Sequence, residues 1–368
     1  MNAFLLLPMA IGIGTAIWGI HKAPGGIWFT LLIFLGSVAV AIYLAMEERR
    51  KAMAKPTNIV DHAMLVTKKF LPYVPWLKEN LRGQDAQIDQ IASSIQEELM
   101  LANPGKIIGA YLLVGPTGTG KTFLSKLVAQ ALYPKSEPIL LDMGQLKHQD
   151  DIFTLIGPPP GRQGFELGGS LTRPVLQNPY RVVIFDELTS CHPDLYDCLY
   201  NILDTGRCME KSSGKTVDFS GCVFFATSNV GYENLRAIYK RTTDANTRIT
   251  QCREAMHTEA KMDRAFLARW NRILLMDRLE MLLVAEVALL QVCQHWKKFG
   301  MELTYVPPEL LVDVVRRNEE FKDYGVRQLF HFIKDVTSQP ISQARAAKMT
   351  RVHLDISPEG QFEIKPVA

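Results

Sequence analysis

The feature that most constrains this chain is the octapeptide Gly115–Thr122, which reads GPTGTGKT and matches the pattern G-x-x-x-x-G-K-[ST]. It follows an apolar run of strand length, Ile107–Val114, and apolar residues at helical spacing continue from Phe123 to Leu132. In such a strand–loop–helix unit, glycines let backbone N–H groups curl around phosphate oxygens, and the helix start adds its positive dipole end. The sequence therefore predicts a site for a nucleotide.

The residue types in this loop predict how the nucleotide is held. We expect the Lys121 ammonium to reach the β- and γ-phosphates and the Thr122 hydroxyl to bind Mg²⁺. The predicted nucleotide-binding residues of the loop are Gly115, Pro116, Thr117, Gly118, Thr119, Gly120, Lys121, Thr122 and Phe123. The predicted cofactors are ATP and Mg²⁺.

Two further apolar runs end in polar residues that an ATPase of this kind requires. The run RVVIFDE places Asp186 and Glu187 at the tip of a buried strand, and GCVFFATSN ends in Asn229. We expect Asp186 to bind Mg²⁺ and Glu187 to align and polarise the attacking water. Either run alone is compatible with an ordinary polar turn, but their order and spacing after the phosphate loop indicate ATP hydrolysis.

The first 46 residues contain no acidic residue and a single lysine, Lys22. Two apolar runs, Ala3–Ile20 and Ile27–Met46, are each about long enough to cross a hydrocarbon core roughly 30 Å thick. We therefore predict a two-helix transmembrane hairpin over residues 1–46, with two buried core helices as the alternative. The basic segment EERRKAMAK that follows predicts cytoplasmic termini and a multi-pass location in a bacterial inner membrane.

Residues 47–76 are interpreted as a juxtamembrane linker, because Pro56, Pro72 and Pro75 interrupt regular structure. The formal net charge of +3 includes no polybasic tail, so we expect no nucleic acid partner. Six cysteines without a C-x-x-C pair argue against a zinc site or a disulfide scaffold and predict reduced thiols. They are Cys191, Cys198, Cys208, Cys222, Cys252 and Cys293.

Several segments, taken in order, resemble a Clp-type AAA+ module, and the resemblance is strongest to the second ATPase module of the ClpB disaggregase. They are LRGQDAQIDQIASSI, IGPPPGRQGFELGGSLT, NPYRVVIFDEL, HPDLYDCLYNILDTGR, KTVDF and ATSN. The resemblance implies an α/β fold, with a large P-loop domain over residues 77–276 and a small, mainly helical lid domain over 277–368. The large domain should hold a five-stranded parallel sheet with helices on both faces. A homo-hexameric ring is also implied.

The same resemblance implies roles for three more residues. Asn229 falls on the sensor-1 position, which helps to orient the lytic water. Arg269, in DRAFLARWNR, falls on the arginine finger that reaches the γ-phosphate of the neighbouring subunit, although Ala268 replaces the family's asparagine. Arg327, in YGVRQL, falls on the sensor-2 position and should contact the γ-phosphate in cis, as part of the nucleotide site. The predicted catalytic residues are therefore Glu187, Asn229, Arg269 and Arg327.

The segment that resembles the family's first pore loop departs from the family pattern. That loop grips a threaded polypeptide with an aromatic residue between two glycines, and here Arg162 and Gln163 stand between them. Phe165 retains the second aromatic position. Arg162 favours a narrower or acidic substrate, or remodelling without full threading. The stretch from Val230 to Met262 lacks the tripeptide that docks a ClpP-type peptidase, so we expect no such partner.

The predicted function is that of a membrane-anchored ring ATPase that couples ATP hydrolysis to remodelling, disassembly or translocation of a protein substrate. One alternative is an energising or assembly ATPase of a membrane secretion or conjugation machine. A second alternative is a nucleic-acid-directed AAA+ enzyme, which the charge distribution does not favour.

Overall fold

The computed structural model describes residues 70–101, 105–320, 326–357 and 361–366, with side chains described except at 318–329 and 366. Within this part of the chain, no helix is both long and apolar enough to cross a membrane. On this finding the predicted multi-pass localisation is wrong and is dropped. The predicted hairpin over residues 1–46 lies outside the described residues.

The described end of the predicted linker is helical instead of irregular. Leu71–Tyr73 forms a 3-10 turn and Val74–Asn80 forms helix α1, while the preceding Phe70 is buried. Pro72 and Pro75 each occupy the second position of one of these helices. A first-turn N–H has no intrahelical partner, so a proline there loses nothing and its fixed φ suits the helix. These prolines therefore lie in the first turns of helices.

The remaining elements alternate between helix and strand over most of the chain. The helices are α2 (Asp85–Leu101), α3 (Lys121–Leu132), α4 (Ile152–Ile156), α5 (Thr172–Gln177), α6 (Leu195–Thr205), α7 (Tyr232–Arg241), α8 (Ala245–Ala260), α9 (Arg264–Ala268), α10 (Met281–Lys297), α11 (Pro308–Glu320) and α12 (Val326–Ala346). The strands are β1 (Gly109–Val114), β2 (Ile139–Asp142), β3 (Val182–Asp186), β4 (Arg207–Met209), β5 (Thr216–Asp218), β6 (Val223–Ser228), β7 (Arg272–Leu275), β8 (Glu302–Tyr305), β9 (Arg351–Ile356) and β10 (Phe362–Pro366).

The central sheet has five parallel strands in the order β2-β3-β6-β1-β7. Its strands are almost continuously apolar because both faces are buried, as in other parallel sheets. Leu112 and Phe224 belong to one core, with side chains of α6, α7 and α8. Tyr111 and Phe225 belong to a second core, with side chains of α2 and α3. The predicted parallel sheet with helices on both faces is confirmed.

The C-terminal elements lie within the predicted lid segment, residues 277–368. Helices α10, α11 and α12 share a third core with a small sheet, and Trp296 is fully buried in it. Strands β9 and β10 form an antiparallel hairpin, and β8 joins β9 in parallel. A separate two-stranded hairpin, β4–β5, stands between α6 and β6. The six cysteines are free in the structure.

Candidate active site

The phosphate loop joins the end of β1 to the start of α3, and tight packing explains its glycines. Gly118 and Gly120 have φ values of +84° and +90°, in the left-handed region that glycine adopts without steric cost. A Cβ on Gly120 would lie 2.7 Å from Leu81 Cδ1, and a Cβ on Gly115 would lie 2.1 Å from the carbonyl oxygen of Met276. The loop is therefore fixed between the segment before α2 and the chain leaving β7.

Lys121 is the buried cation at the centre of this loop. Its Nζ donates hydrogen bonds to Gly115 O at 2.7 Å, Pro116 O at 2.8 Å and Asn229 Oδ1 at 2.8 Å. Asn229 follows β6, so the lysine links the ends of two neighbouring strands. The Asn229 amide also approaches Thr117 Oγ1 at 3.5 Å. A buried ammonium group beside a glycine loop suits a polyanionic ligand.

Asp186, at the end of β3, is held by two hydroxyl groups. Its Oδ1 accepts hydrogen bonds from Thr122 Oγ1 at 2.8 Å and Thr227 Oγ1 at 2.7 Å. Thr227 Oγ1 in turn accepts a bond from the backbone N–H of Glu187 at 2.9 Å. Sequence reasoning missed Thr227, which is 1% exposed. The available signal was a hydroxyl directly after the apolar run GCVFFA, because a buried hydroxyl requires a partner.

Glu187 adopts an unusual backbone conformation, with φ 54° and ψ 45°. A residue with a Cβ pays about 1–2 kcal/mol to occupy this left-handed region. Such strain persists where surrounding contacts impose it and is common at active sites. Here the bond from its N–H to Thr227 is one such contact. A Cβ on Gly144 would lie 3.1 Å from Glu187 Oε2, so glycine at 144 leaves room for the carboxylate.

These residues surround one cleft of about 210 Å³ at the carboxyl edge of the sheet. Its lining residues are Thr117, Gly118, Gly120, Lys121, Thr122, Phe123, Asp186, Glu187, Thr227, Asn229 and Phe330. The Thr122 hydroxyl and the Asp186 carboxylate are hard oxygen donors, which suit Mg²⁺. No group of three or more His, Cys, Asp or Glu side chains in the described part of the chain could hold a metal. A magnesium ion would therefore depend on phosphate oxygens as well, which is its common mode of binding.

Of the two predicted catalytic arginines, Arg269 is not among the described residues that line this cleft. Arg269 follows α9 and contacts α6, where its Nε lies 2.5 Å from Asp204 Oδ1 and its Nη2 donates to Tyr200 OH at 2.8 Å. Its Cζ also stands 4.9 Å from the centre of the Tyr200 ring. Position 327 lies in the first turn of α12, but the Arg327 side chain is outside the described ones.

The predicted pore-loop residues lie apart from the cleft, on the connection between α4 and α5. Arg162 Cζ stands 4.6 Å from the centre of the Phe153 ring, and its Nη1 lies 3.7 Å from Asp150 Oδ1. The guanidinium that replaces the family's aromatic residue is thus stacked on an aromatic residue that sequence reasoning missed. Gln163 lines the same shallow groove as Phe153. Phe165 is 37% exposed.

Comparison with known proteins agrees with this geometry. A family model described as an AAA domain (Cdc48 subfamily) matches residues 106–273, which contain the phosphate loop, Asp186, Glu187 and Asn229. The chaperone protein ClpB of Bdellovibrio bacteriovorus is 31% identical over 309 residues, covering 81% of this chain and 35% of that protein. The chain is therefore similar to a Clp-type AAA+ ATPase module.

Two further comparisons show how much of the chain is similar to ClpB and Hsp104. ClpB of Nitratidesulfovibrio vulgaris is 40% identical over 166 residues, which cover 45% of this chain and 19% of that protein. A closed-state cryo-EM structure of Hsp104 with ATPγS and FITC-casein has the same fold, with a TM-score of 0.67 and 23% identity. That match covers 81% of this chain and 52% of the Hsp104 chain. The chain spans about a third of the length of curated relatives such as the Bdellovibrio protein.

Proposed function

We propose that the chain hydrolyses ATP within a ring of identical subunits and uses the energy to remodel protein substrates. The observation that carries this proposal is the convergence of Lys121, Thr122, Asp186, Glu187 and Asn229 on one cleft at the carboxyl edge of the sheet. Parallel α/β sheets bind their ligands at this edge, and these five residue types are those that phosphoryl transfer to water requires.

In the proposed reaction, the loop and Lys121 bind the phosphates and neutralise charge on the β- and γ-groups. Thr122 and Asp186 would hold Mg²⁺, which when bound supplies charge neutralisation at the phosphate oxygens. The Glu187 carboxylate accepts a hydrogen bond from the attacking water. This bond raises the electron density on the water oxygen and makes it a better nucleophile. Asn229 orients that water, and its bond to Lys121 sets the amide's position beforehand.

The ring is proposed because no arginine is found among the described side chains that line the cleft of one chain. We propose that Arg269 completes the cleft of an adjacent subunit, while Arg327 contacts the γ-phosphate in cis. An arginine supplied in this way is worth roughly 10³–10⁵ in kcat. Six subunits are the number that the likeness to ClpB favours.

A protein substrate is proposed on two grounds. The relatives are named chaperones, and the Hsp104 structure was determined with a labelled casein. In this chain the loop between α4 and α5 exposes two apolar side chains, Phe165 at 37% and Leu167 at 72%. We propose that Phe165 contacts the substrate together with Arg162 and Gln163. The cation at 162 favours segments that carry acidic residues.

The catalytic part is tested by phosphate release from purified chain with Mg²⁺ and ATP. Glu187→Gln should bind ATP normally and release phosphate at least about 100-fold more slowly, because the amide is a poor acceptor for the water's proton. Lys121→Ala should lose nucleotide binding itself. Hydrolysis at the parent rate by Glu187→Gln would contradict the assigned role of that carboxylate.

The substrate part is tested with fluorescein-labelled casein, whose anisotropy should rise when the chain is added with ATPγS. Phe165→Ala should weaken this binding while ATP hydrolysis continues. Phe299→Ala is a matched control, because Phe299 is a similarly exposed aromatic residue that lies just beyond the C-terminal end of α10. If both variants bind casein equally well, the loop is not part of the substrate site.

A further inference from the structure

The loop proposed to contact substrate, residues 157–169, is closed at its base. The N–H of Ser170 donates to Thr154 O at 2.8 Å, and the N–H of Leu171 donates to Leu155 O at 3.1 Å. A Cβ on Gly169 would lie 2.2 Å from Leu155 O, so the two ends of the loop touch. The loop is therefore held as a unit whose orientation is set by whatever contacts its base.

The turn of the β4–β5 hairpin, residues 207–218, contacts the incoming end of this loop. Lys211 N donates to Ile156 O at 2.9 Å, and Ser212 Oγ donates to Pro158 O at 2.9 Å. A Cβ on Gly157 would lie 2.3 Å from Ser212 Oγ, so no side chain fits between the hairpin and the loop. The hairpin is thus bonded to the loop directly.

Glu210, in the same hairpin, contacts the outgoing end of the loop. Glu210 is only 3% exposed. Its Oε1 accepts hydrogen bonds from Gly169 N at 3.2 Å and from Thr172 Oγ1 at 3.5 Å. Its Oε2 accepts a bond from Ser213 Oγ at 2.6 Å. Burying a carboxylate is costly unless hydrogen bonds satisfy it, and these bonds tie it to both hairpin and loop.

The hairpin also continues, at both ends, into elements of the proposed catalytic apparatus. Helix α6, which carries the Tyr200 and Asp204 partners of Arg269, leads through Gly206 into β4. Strand β5 leads into β6, which ends at the Thr227 that bonds Asp186. A displacement of α6 or β6 during nucleotide turnover would therefore be transmitted directly to the hairpin.

We propose that Glu210 is a positioning residue that couples the nucleotide site to the substrate-contacting loop, and this inference rests on the proposed function of that loop. Its carboxylate joins the outgoing end of the loop to the hairpin, so that the loop follows the hairpin when α6 or β6 moves. Without that carboxylate, hydrolysis continues but the outgoing end of the loop no longer follows the hairpin, which then holds the loop only at its incoming end, through Lys211 and Ser212.

The experiment compares the unaltered chain with three variants. Glu210→Ala removes every bond to the loop from this side chain, whereas Glu210→Gln keeps an oxygen that accepts from Gly169 N. Ser213→Ala is a matched control, because Ser213 bonds Glu210 from within the hairpin and has no described bond to the loop. Phosphate release is measured with and without labelled casein, and backbone hydrogen exchange is measured on residues 157–169.

For Glu210→Ala we expect basal phosphate release within about 2-fold of the parent, and loss of most of the casein-dependent change in rate. Exchange in residues 157–169 should rise at least about 10-fold while β1 and β6 stay protected, because only the local bonds are lost. Glu210→Gln and Ser213→Ala should stay close to the parent in both measurements.

Parent-like casein response and parent-like exchange in Glu210→Ala would overturn the proposal. Equal loss of basal hydrolysis in Glu210→Ala and Glu210→Gln would also overturn it, because that pattern marks a structural role alone. If the unaltered chain does not respond to casein, the proposed substrate class fails, and hydrogen exchange then decides whether Glu210 holds the loop. Faster exchange in Glu210→Ala, confined to residues 157–169, would support that role, and unchanged exchange would refute it.

Discussion

Thr227 offers the sharpest test of how the cleft is organised. It is 1% exposed, and its hydroxyl both donates to the Asp186 carboxylate and accepts from the backbone N–H of Glu187. Thr227→Val keeps the shape of the side chain and removes both bonds, whereas Thr227→Ser keeps the hydroxyl and removes only a methyl group. The two variants therefore separate hydrogen bonding from packing.

The expected magnitudes follow from these two bonds. Leaving a buried N–H without an acceptor costs about 1–3 kcal/mol, and a bond to a charged carboxylate is worth about 1.5–3 kcal/mol. Asp186 keeps its bond from Thr122, so we expect a net loss of about 2–3 kcal/mol for Thr227→Val. The catalytic loss should be about 10- to 100-fold in kcat, because Glu187 is no longer held in its left-handed conformation and small displacements of a reacting group are costly.

The assay is phosphate release at saturating Mg²⁺ and ATP, together with thermal unfolding at fixed protein and nucleotide concentrations. Thr227→Ser should stay within about 3-fold of the parent kcat, whereas Thr227→Val should lie well below it. If Thr227→Val keeps the parent kcat, Thr227 does not position Glu187. If Thr227→Ser is as defective as Thr227→Val, the methyl group and not the hydroxyl is what matters.

Three further outcomes are expected. Gly115→Ala should lower the free energy of unfolding in urea by about 1–3 kcal/mol and weaken ATP binding, because the alanine Cβ would lie 2.1 Å from Met276 O. Unchanged affinity for ATP would contradict the packing argument. Glu187→Asn should abolish turnover yet raise Tm by about 1–4 °C, because asparagine tolerates the left-handed region; a lower Tm would show that Glu187 is unstrained. Burial acts to raise the pKa of Asp277, but bonds led by that from Tyr232 hold it below its ordinary value. Its stabilisation is therefore present above about pH 4 and lost as pH falls through the lowered pKa, so Asp277→Asn should lower Tm at pH 7, and this difference from the parent should shrink as the pH falls through the lowered pKa.

The sequence was sufficient to predict the sheet and the centre of the site, because both depend on local patterns. Five apolar strands with intervening helices require a buried parallel sheet, and the observed strand order brings the ends of β1, β3 and β6 together. Lys121, Asp186 and Asn229 each follow or end one of those strands, so their convergence follows from the fold. The linker was predicted less well, because a proline in a first helical turn and a proline in a loop look alike in sequence.

The residues that sequence reasoning missed are those whose roles depend on contacts between distant segments. Thr227 could have been found, because a hydroxyl inside an apolar strand must be bonded to something. Glu210 could not, since it lies in the polar stretch EKSSGK, which has the composition of an exposed turn. Its burial arises only when the hairpin folds against Gly168, where a Cβ would lie 2.6 Å from the Glu210 carboxylate. A buried carboxylate that bonds two segments some 40 residues apart is therefore visible in the structure and invisible to any local pattern.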